Sequence, residues 1–189
     1  MLELVPPALE ALHAAGVRLD PGLTETELAR AESRFGFSFG PEHRALLGTA
    51  LPVGDRWPDW RNGPDDELRR RLDQPIEGVV FDVVHADFWP ASWGERPRDA
   101  DRRERVARES LARVPALVPL YSHRYLTAGR HDRPSPVFSV HQTDVIYYGD
   151  DLLDYVAHEF GHSPRHRNPD RPRVPFWSDL ADGADLGDL

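Results

Sequence analysis

The string His158-Glu159-Phe160-Gly161-His162 carries the most explicit chemistry in the chain. On a continuous helix, H-E-x-x-H spacing sets two imidazoles on one face, where they bind zinc while the Glu polarises the metal's water. That reading makes His158 and His162 ligands and Glu159 the base of a zinc-dependent hydrolase. The flanking residues argue against it. Gly161 is a helix terminator, and Ser163 precedes Pro164, which biases it away from the α conformation. A helix that ends at Phe160 or Gly161 takes His162 off the face that His158 occupies. A catalytic zinc also needs a third protein ligand. No Glu follows Glu159, which leaves only acids such as Asp170 or Asp179. The longer H-E-x-x-H-x-x-G-x-x-H pattern meets Arg165 and Asn168 where it needs Gly and His. The expectation is a chain without metal, cofactor or catalytic residues, with the zinc hydrolase as the alternative.

Two aromatic turns are the second candidate. Trp57, Trp60 and Arg61 lie in the first, and Phe88, Trp89, Trp93 and Arg96 in the second. Trp and Arg are the residue types enriched at binding hot spots, which makes these seven a candidate contact surface. Trp is also usually largely buried, so core packing is the competing reading. Other constellations are weaker. With no Lys in the chain a Walker-type phosphate loop is excluded, and no dinucleotide G-x-G-x-x-G occurs. Asp65-Asp66-Glu67 followed by Arg69-Arg70-Arg71 reads as a solvated helix with i,i+4 pairs and favourable ends.

The composition bounds the partners. All 23 basic residues are Arg, Cys is absent, and the formal net charge is −9. Excess negative charge argues against nucleic acid and anionic membranes and favours a basic protein partner. Four Asp (179, 182, 185 and 188) fall in the last eleven residues, so without them the charge is −9 + 4 = −5. No apolar run approaches the ~20 residues that cross a bilayer. The first residues carry Glu3 and Glu10 but no early base, a poor secretory signal. With no cysteine, a reducing cytoplasm is the expected location.

These residues need elements to hold them. Residues 4–15 read as a helix closed by Gly16. Thr24 and Glu27 form a capping box, with Leu23 and Leu28 as its hydrophobic staple, for a helix that stops at Gly36. A third helix starts at Pro41. A turn-rich stretch from Leu51 to Gly63 leads to a polar helix over 65–72. The β-branched run 78–84 reads as a strand, and Asp101 as the cap of a charged helix to about Arg113. Strands are expected at 117–126, 136–142 and 144–148, the last two joined by a tight turn. Asp150 or Asp151 then caps a helix through Phe160. Beyond Gly161 a Pro/Arg/His linker and an acidic tail follow, with Val174-Pro175-Phe176-Trp177 expected to dock back. Helices first and strands later point to an α+β fold.

In this order the features resemble a known family. The carriers are Leu23-Thr24-Glu25 through Phe35-Gly36-Phe37-Ser38-Phe39, then Pro41–Leu47, Leu51-Pro52 and Trp57-Pro58-Asp59-Trp60-Arg61. Phe88-Trp89, Trp93-Gly94, Pro119-Leu120-Tyr121, Pro136–Val140 and Ile146-Tyr147-Tyr148-Gly149 continue the series. Together they resemble the SUKH superfamily, proteins similar to the yeast Smi and Knr cell-wall-assembly regulators, over about residues 20–161. The resemblance implies one α+β domain over 1–161, with N-terminal helices around a curved, mainly antiparallel sheet and a closing C-terminal helix. It leaves 162–189 as linker and tail, with 174–180 docked. It further implies a non-enzymatic protein-binding module. Bacterial relatives look like immunity proteins that neutralise toxin domains, and yeast relatives look like regulatory scaffolds unrelated to toxins.

Overall fold

The computed structural model describes residues 2–161, 168 and 170–183. Its elements are α1 (Val5–Ala14), β1 (Arg18–Pro21), α2 (Glu25–Phe35), α3 (Pro41–Thr49), β2 (Ala50–Val53), α4 (Asp65–His85) and α5 (Ala100–Leu111), followed by β3 (Leu117–Tyr121), β4 (Arg124–Thr127), β5 (Val137–His141), β6 (Asp144–Gly149), α6 (Leu152–Glu159) and α7 (Trp177–Ala181). The fold is α+β. β1 and β2 form a small antiparallel ribbon, and β3-β4-β5-β6 form an antiparallel meander in chain order. The meander's inner strands show the alternation of a two-sided sheet. Tyr125, Phe138, Val140 and Val145 pack with α4, α5 and α7, whereas Leu120, Leu126 and Val137 pack with α1 and α6. A third cluster joins α2, α3, Trp60 and Val118.

The expected capping box is present: Thr24 Oγ1 accepts from the Glu27 amide at 3.2 Å, and Glu27 Oε2 accepts from the Thr24 amide at 2.8 Å. Gly36 ends α2 in the left-handed region at φ 76°. The box satisfies two amides that a helix start leaves unpaired.

The strand expected at 78–84 is instead the second half of α4. Leu68, Pro75, Val79, Val80 and Val83 are its buried apolar residues, on the stripe expected of a helix, and Asp82 is buried with them. Helix propensity penalises Val by only a few tenths of a kcal/mol, far less than burying its side chain returns. Pro75 sits inside this helix and has no N–H to give the Arg71 carbonyl one turn back. The hydroxyl of Tyr125 supplies the missing donor to that carbonyl at 3.3 Å. Further along, the β5–β6 turn presses against the helix at Gly78, where an added Cβ would lie 2.9 Å from the Gln142 Cα. Asp82 Oδ2 then accepts from the Thr143 amide at 3.0 Å and from its hydroxyl at 2.6 Å.

Other expectations shift in detail. The run 117–126 is two strands, since Ser122 turns the chain at φ 51° and begins a hairpin. Pro119 fits β3 because β3 is an edge strand with a register shift beside it. Asp99, rather than Asp101, caps α5 by accepting from the Arg102 amide. β1 and β2, four residues each with Pro at or near the pairing, were not expected from the turn-like composition. Helix α6 covers the expected span but does not close the chain. α7 follows it, and Trp177 is fully buried in the cluster under α4 and α5, donating to the Pro115 carbonyl at 2.8 Å. Residues 174–181 therefore pack into or against the core, where docking was expected. Arg173 pairs with Asp179 and Asp182, so half of the acidic tail is charge-compensated within it. The remainder of the tail, and the linker over 162–167, lie outside the described residues.

A second polar clamp fixes the β4–β5 loop to α3. Glu42, fully buried, accepts from the Ser135 amide at 2.6 Å, and Ser135 Oγ donates to Thr127 Oγ1 at 2.9 Å. His131 Nε2 lies 3.8 Å from Glu42 Oε2. Beside them His43 is buried against Phe39, and burial pushes its pKa down to about 3.

Two predictions follow from α4 and α3. Gly78→Ala should destabilise by about 1–3 kcal/mol in denaturant unfolding, because the hairpin must move. At an open helix site the same change would stabilise by about 1 kcal/mol, and that result would disprove the close approach. His43 stays neutral when folded but takes a proton near 6.5 when unfolded. Stability should be complete above that pH and fall as pH drops from 6.5 towards 3, with a slope of about 1.4 kcal/mol per unit from this group. Between pH 6.5 and 5 the lowered Glu25, Glu27 and Glu77 carboxyls do not yet contribute. His43→Leu should leave only the slope of His123, whose pKa is also lowered by burial. An unchanged profile would show that His43 is solvated.

Candidate functional site

The seven turn residues do not gather into one patch. Trp57, Trp60, Phe88 and Trp89 are buried, and they divide among three separate clusters. Trp57 stacks on Phe160 at 5.9 Å and meets Tyr121 at 4.7 Å. Trp60 is ringed by Phe35, Phe37 and Phe39 at 5.1–6.3 Å. Trp89 donates its indole N–H to the Gly94 carbonyl at 2.8 Å, which folds its turn over. Trp93 is half-buried and stacked on Phe176. The two arginines hold the turns. Arg61 pairs with Glu27 at 2.7 Å and donates to the Pro21 and Gly22 carbonyls, and Arg96 pairs with Asp87 at 2.6 Å. Trp57, Trp60, Phe88 and Trp89 pack as core, since such wide side chains remove much apolar surface from water.

The histidine–glutamate string resolves differently. α6 ends at Glu159, with Phe160 as its C-cap. His158 meets the Tyr148 ring edge-on at 4.9 Å, and His162 lies outside the described residues. Glu159 Oε2 faces Arg124 Nε at 3.3 Å, both side chains nearly buried. Arg124 in turn donates to Ser139 Oγ at 2.9 Å and lies 3.6 Å over the Tyr148 ring. Glu159 is the counter-charge that ties α6 to the sheet.

One motif escaped the sequence reading: Gly36-Phe37-Ser38-Phe39-Gly40 matches the G-x-S-x-G of a nucleophile elbow. The elbow requires a strained strand-to-helix turn. Here the string joins helix α2 to helix α3, and Ser38 is absent from the positive-φ residues. The histidine that packs against the string is His131, beside Gly40, while Glu32 Oε1 accepts from the Phe39 amide at 3.0 Å. The His131 Nδ1 is within 2.6 Å of the Arg133 carbonyl and its Nε2 faces Glu42, so neither ring nitrogen serves Ser38. The string works as a connection, with the Gly129 amide donating to the Ser38 carbonyl at 2.8 Å.

Among the described residues, one accessible feature that brings reactive or recognising groups together is a groove beside α4. One part, about 320 Å³, lies between α4, residues 55–56 and the tips of both hairpins. Arg56, Arg70, Arg71, Ser122, His123 and His141 line it. The adjoining part, about 580 Å³, shares Arg70, Gln74 and His141 and continues past Gly78 to Phe81. The site is built by the fold's own constraints. Arg71 pairs with Glu67 at 2.9 Å and donates to the Asp55 and Arg56 carbonyls, while the Ser122 amide also donates to the Arg56 carbonyl. The loop carrying Arg56 is thereby pinned between helix and hairpin. Asp82 and Gly78 set the position of the β5–β6 turn, and with it His141. Burial first, and then the neighbouring Arg124 charge, hold the His123 imidazole below its usual range. Phe81 is 50% exposed, on the side of α4 opposite Val79, Val80 and Val83, with His85 packed at 4.5 Å. Reading 78–84 as a strand hid this site. The same residues read at helical spacing place Phe81 outward and in line with Arg70, Gln74 and Glu77.

Glu159→Gln should cost about 2–4 kcal/mol, a drop of roughly 5–15 °C in midpoint, because it strands the Arg124 guanidinium under the Tyr148 ring. The double change Arg124→Met, Glu159→Leu should recover most of that loss, since both buried charges go together. A neutral Glu159→Gln variant would disprove the clamp. No family model matches this chain, and neither does any curated protein or solved structure.

Proposed function

We propose that the chain is a non-enzymatic, cytoplasmic protein-binding module whose contact point is the Phe81 side of α4, and that its partner is a basic toxin domain. The observation that carries the reading is Phe81 itself. It is a half-exposed aromatic at the end of a groove about 580 Å³ in size, on a helix face shared with Arg70, Asp73, Gln74 and Glu77. An exposed ring set among polar neighbours has the anatomy of an interface anchor inside a polar rim. The net charge of −9 supports a basic partner, because opposite net charges speed encounter. The resemblance to SUKH proteins supports an immunity role. Among the described residues no helix is long and apolar enough to cross a membrane.

The test is co-expression with a toxin domain, sought first in the gene that neighbours this one. The native chain should protect cells and form a complex that survives gel filtration. Phe81→Glu should weaken binding at least about thirtyfold, the scale of a hot-spot loss, with the unfolding midpoint essentially unchanged. Native binding that Phe81→Glu leaves intact would refute this face as the contact point. Binding without protection would refute the toxin and leave a regulatory scaffold.

A further inference from the structure

The other end of the groove has a chemistry of its own. In a chain of net charge −9, three guanidinium groups converge on one cavity of about 320 Å³, against a single lining carboxylate, Asp55. They come from different elements: Arg56 from the loop before α4, and Arg70 and Arg71 from α4 itself. Arg71 is committed to Glu67 and to two backbone carbonyls, so it fixes the wall. Arg56 is exposed and has only a long 3.5 Å contact with the Tyr121 hydroxyl. Arg70 is exposed and makes no hydrogen bond or ion pair with the described residues. Two forked, multi-donor cations thus stand available beside a fixed third. At the hairpin tips the Ser122 hydroxyl and His123 Nδ1 share a hydrogen bond at 3.2 Å, and the His141 ring completes the lining. Ser122 occupies its tip in the left-handed region, a conformation uncommon for a residue with a side chain.

We propose that this cavity binds the phosphoryl group of a small phosphomonoester, whose organic part lies along α4 towards Phe81. Arginine forks match the three terminal oxygens of a phosphoryl group, and its charge of about −2 suits two available guanidinium groups better than the single charge of a carboxylate. The cavity is also larger than a bare phosphate needs. It opens, through the shared residues Arg70, Gln74 and His141, into the groove that ends at the exposed Phe81 ring. The ester end of the ligand therefore has a path beside Gly78 and Gln142 to an aromatic face. The phosphoryl end of this site is argued from the arginines alone, whereas its organic end shares Phe81 with the protein contact proposed above.

Calorimetric titration at constant ionic strength tests it with three probes: inorganic phosphate, phenyl phosphate and benzoate. Phosphate should bind saturably, phenyl phosphate about tenfold more tightly, and benzoate at least tenfold more weakly than phenyl phosphate. Arg70→Gln and Arg56→Gln, both at exposed positions, should each weaken phenyl phosphate about tenfold or more, the effect of losing a charge-assisted hydrogen bond. Phe81→Ala should erase the advantage of phenyl phosphate over phosphate while leaving phosphate itself unchanged. Absence of saturable phosphate binding would overturn the proposal. So would benzoate binding as tightly as phenyl phosphate, or arginine variants that bind as well as the native chain.

Discussion

Helix α4 runs for twenty-one residues through a proline because Tyr125, on the sheet beneath it, donates to the carbonyl that the proline leaves unpaired. An unsatisfied buried carbonyl costs on the order of 1–3 kcal/mol, enough to decide between a continuous helix and a broken one. Since the donor lies on β4, the helix forms in full only when the sheet is in place. The dependence is mutual. Asp82 and Gly78 on the same helix fix the β5–β6 turn, and Arg71 fixes the loop before the helix. Burial raises the Tyr125 pKa well above its ordinary value, which keeps its hydroxyl a donor.

Two other polar contacts do similar work at longer range. Glu42 holds the Ser135 amide across ninety-three residues of chain, and Glu159 faces Arg124 from α6 to β4. Each places a charge where water is scarce, an arrangement that costs stability unless geometry is good and partners are present. What such contacts give is specificity. An apolar α6 could slide along the sheet face, whereas Glu159 matches only the position where Arg124, Ser139 and the Tyr148 ring meet. The buried aromatic turns add mass to the core but not this register.

Local physics explains which elements the sequence reveals. Thr24 and Glu27 announce α2 because both halves of the capping box lie within four residues of each other. The β5–β6 hairpin is legible because its strands alternate and the connection is short. The second half of α4 is not legible, because Val79, Val80 and Val83 favour strands locally and are helical only through contacts with β5 and α5. The β1–β2 ribbon is hidden for the same reason: its pairing joins residues about thirty apart, in segments too short to show a period. At the candidate site, Gly161 told correctly where α6 would stop. The partner of Glu159 lay thirty-five residues upstream, in a strand whose arginine carries no mark of burial.

The groove beside α4 follows from the same mistaken period. A run such as Gly78-Val79-Val80-Phe81-Asp82-Val83-Val84 read as a strand puts Phe81 with Val79 and Val83, all on one buried face. Read as a helix, it sends the valines inward and leaves Phe81 outside, in register with Arg70, Gln74 and Glu77. The change of period from two to 3.6 thus converts a core residue into an exposed one and gathers polar residues around it. Asp82 moves with it, from a strand position to the point where it caps a hairpin. The constraint that makes α4 a helix, a tyrosine beneath a proline, is therefore also what gives the molecule an accessible aromatic and a cationic cavity on the same face.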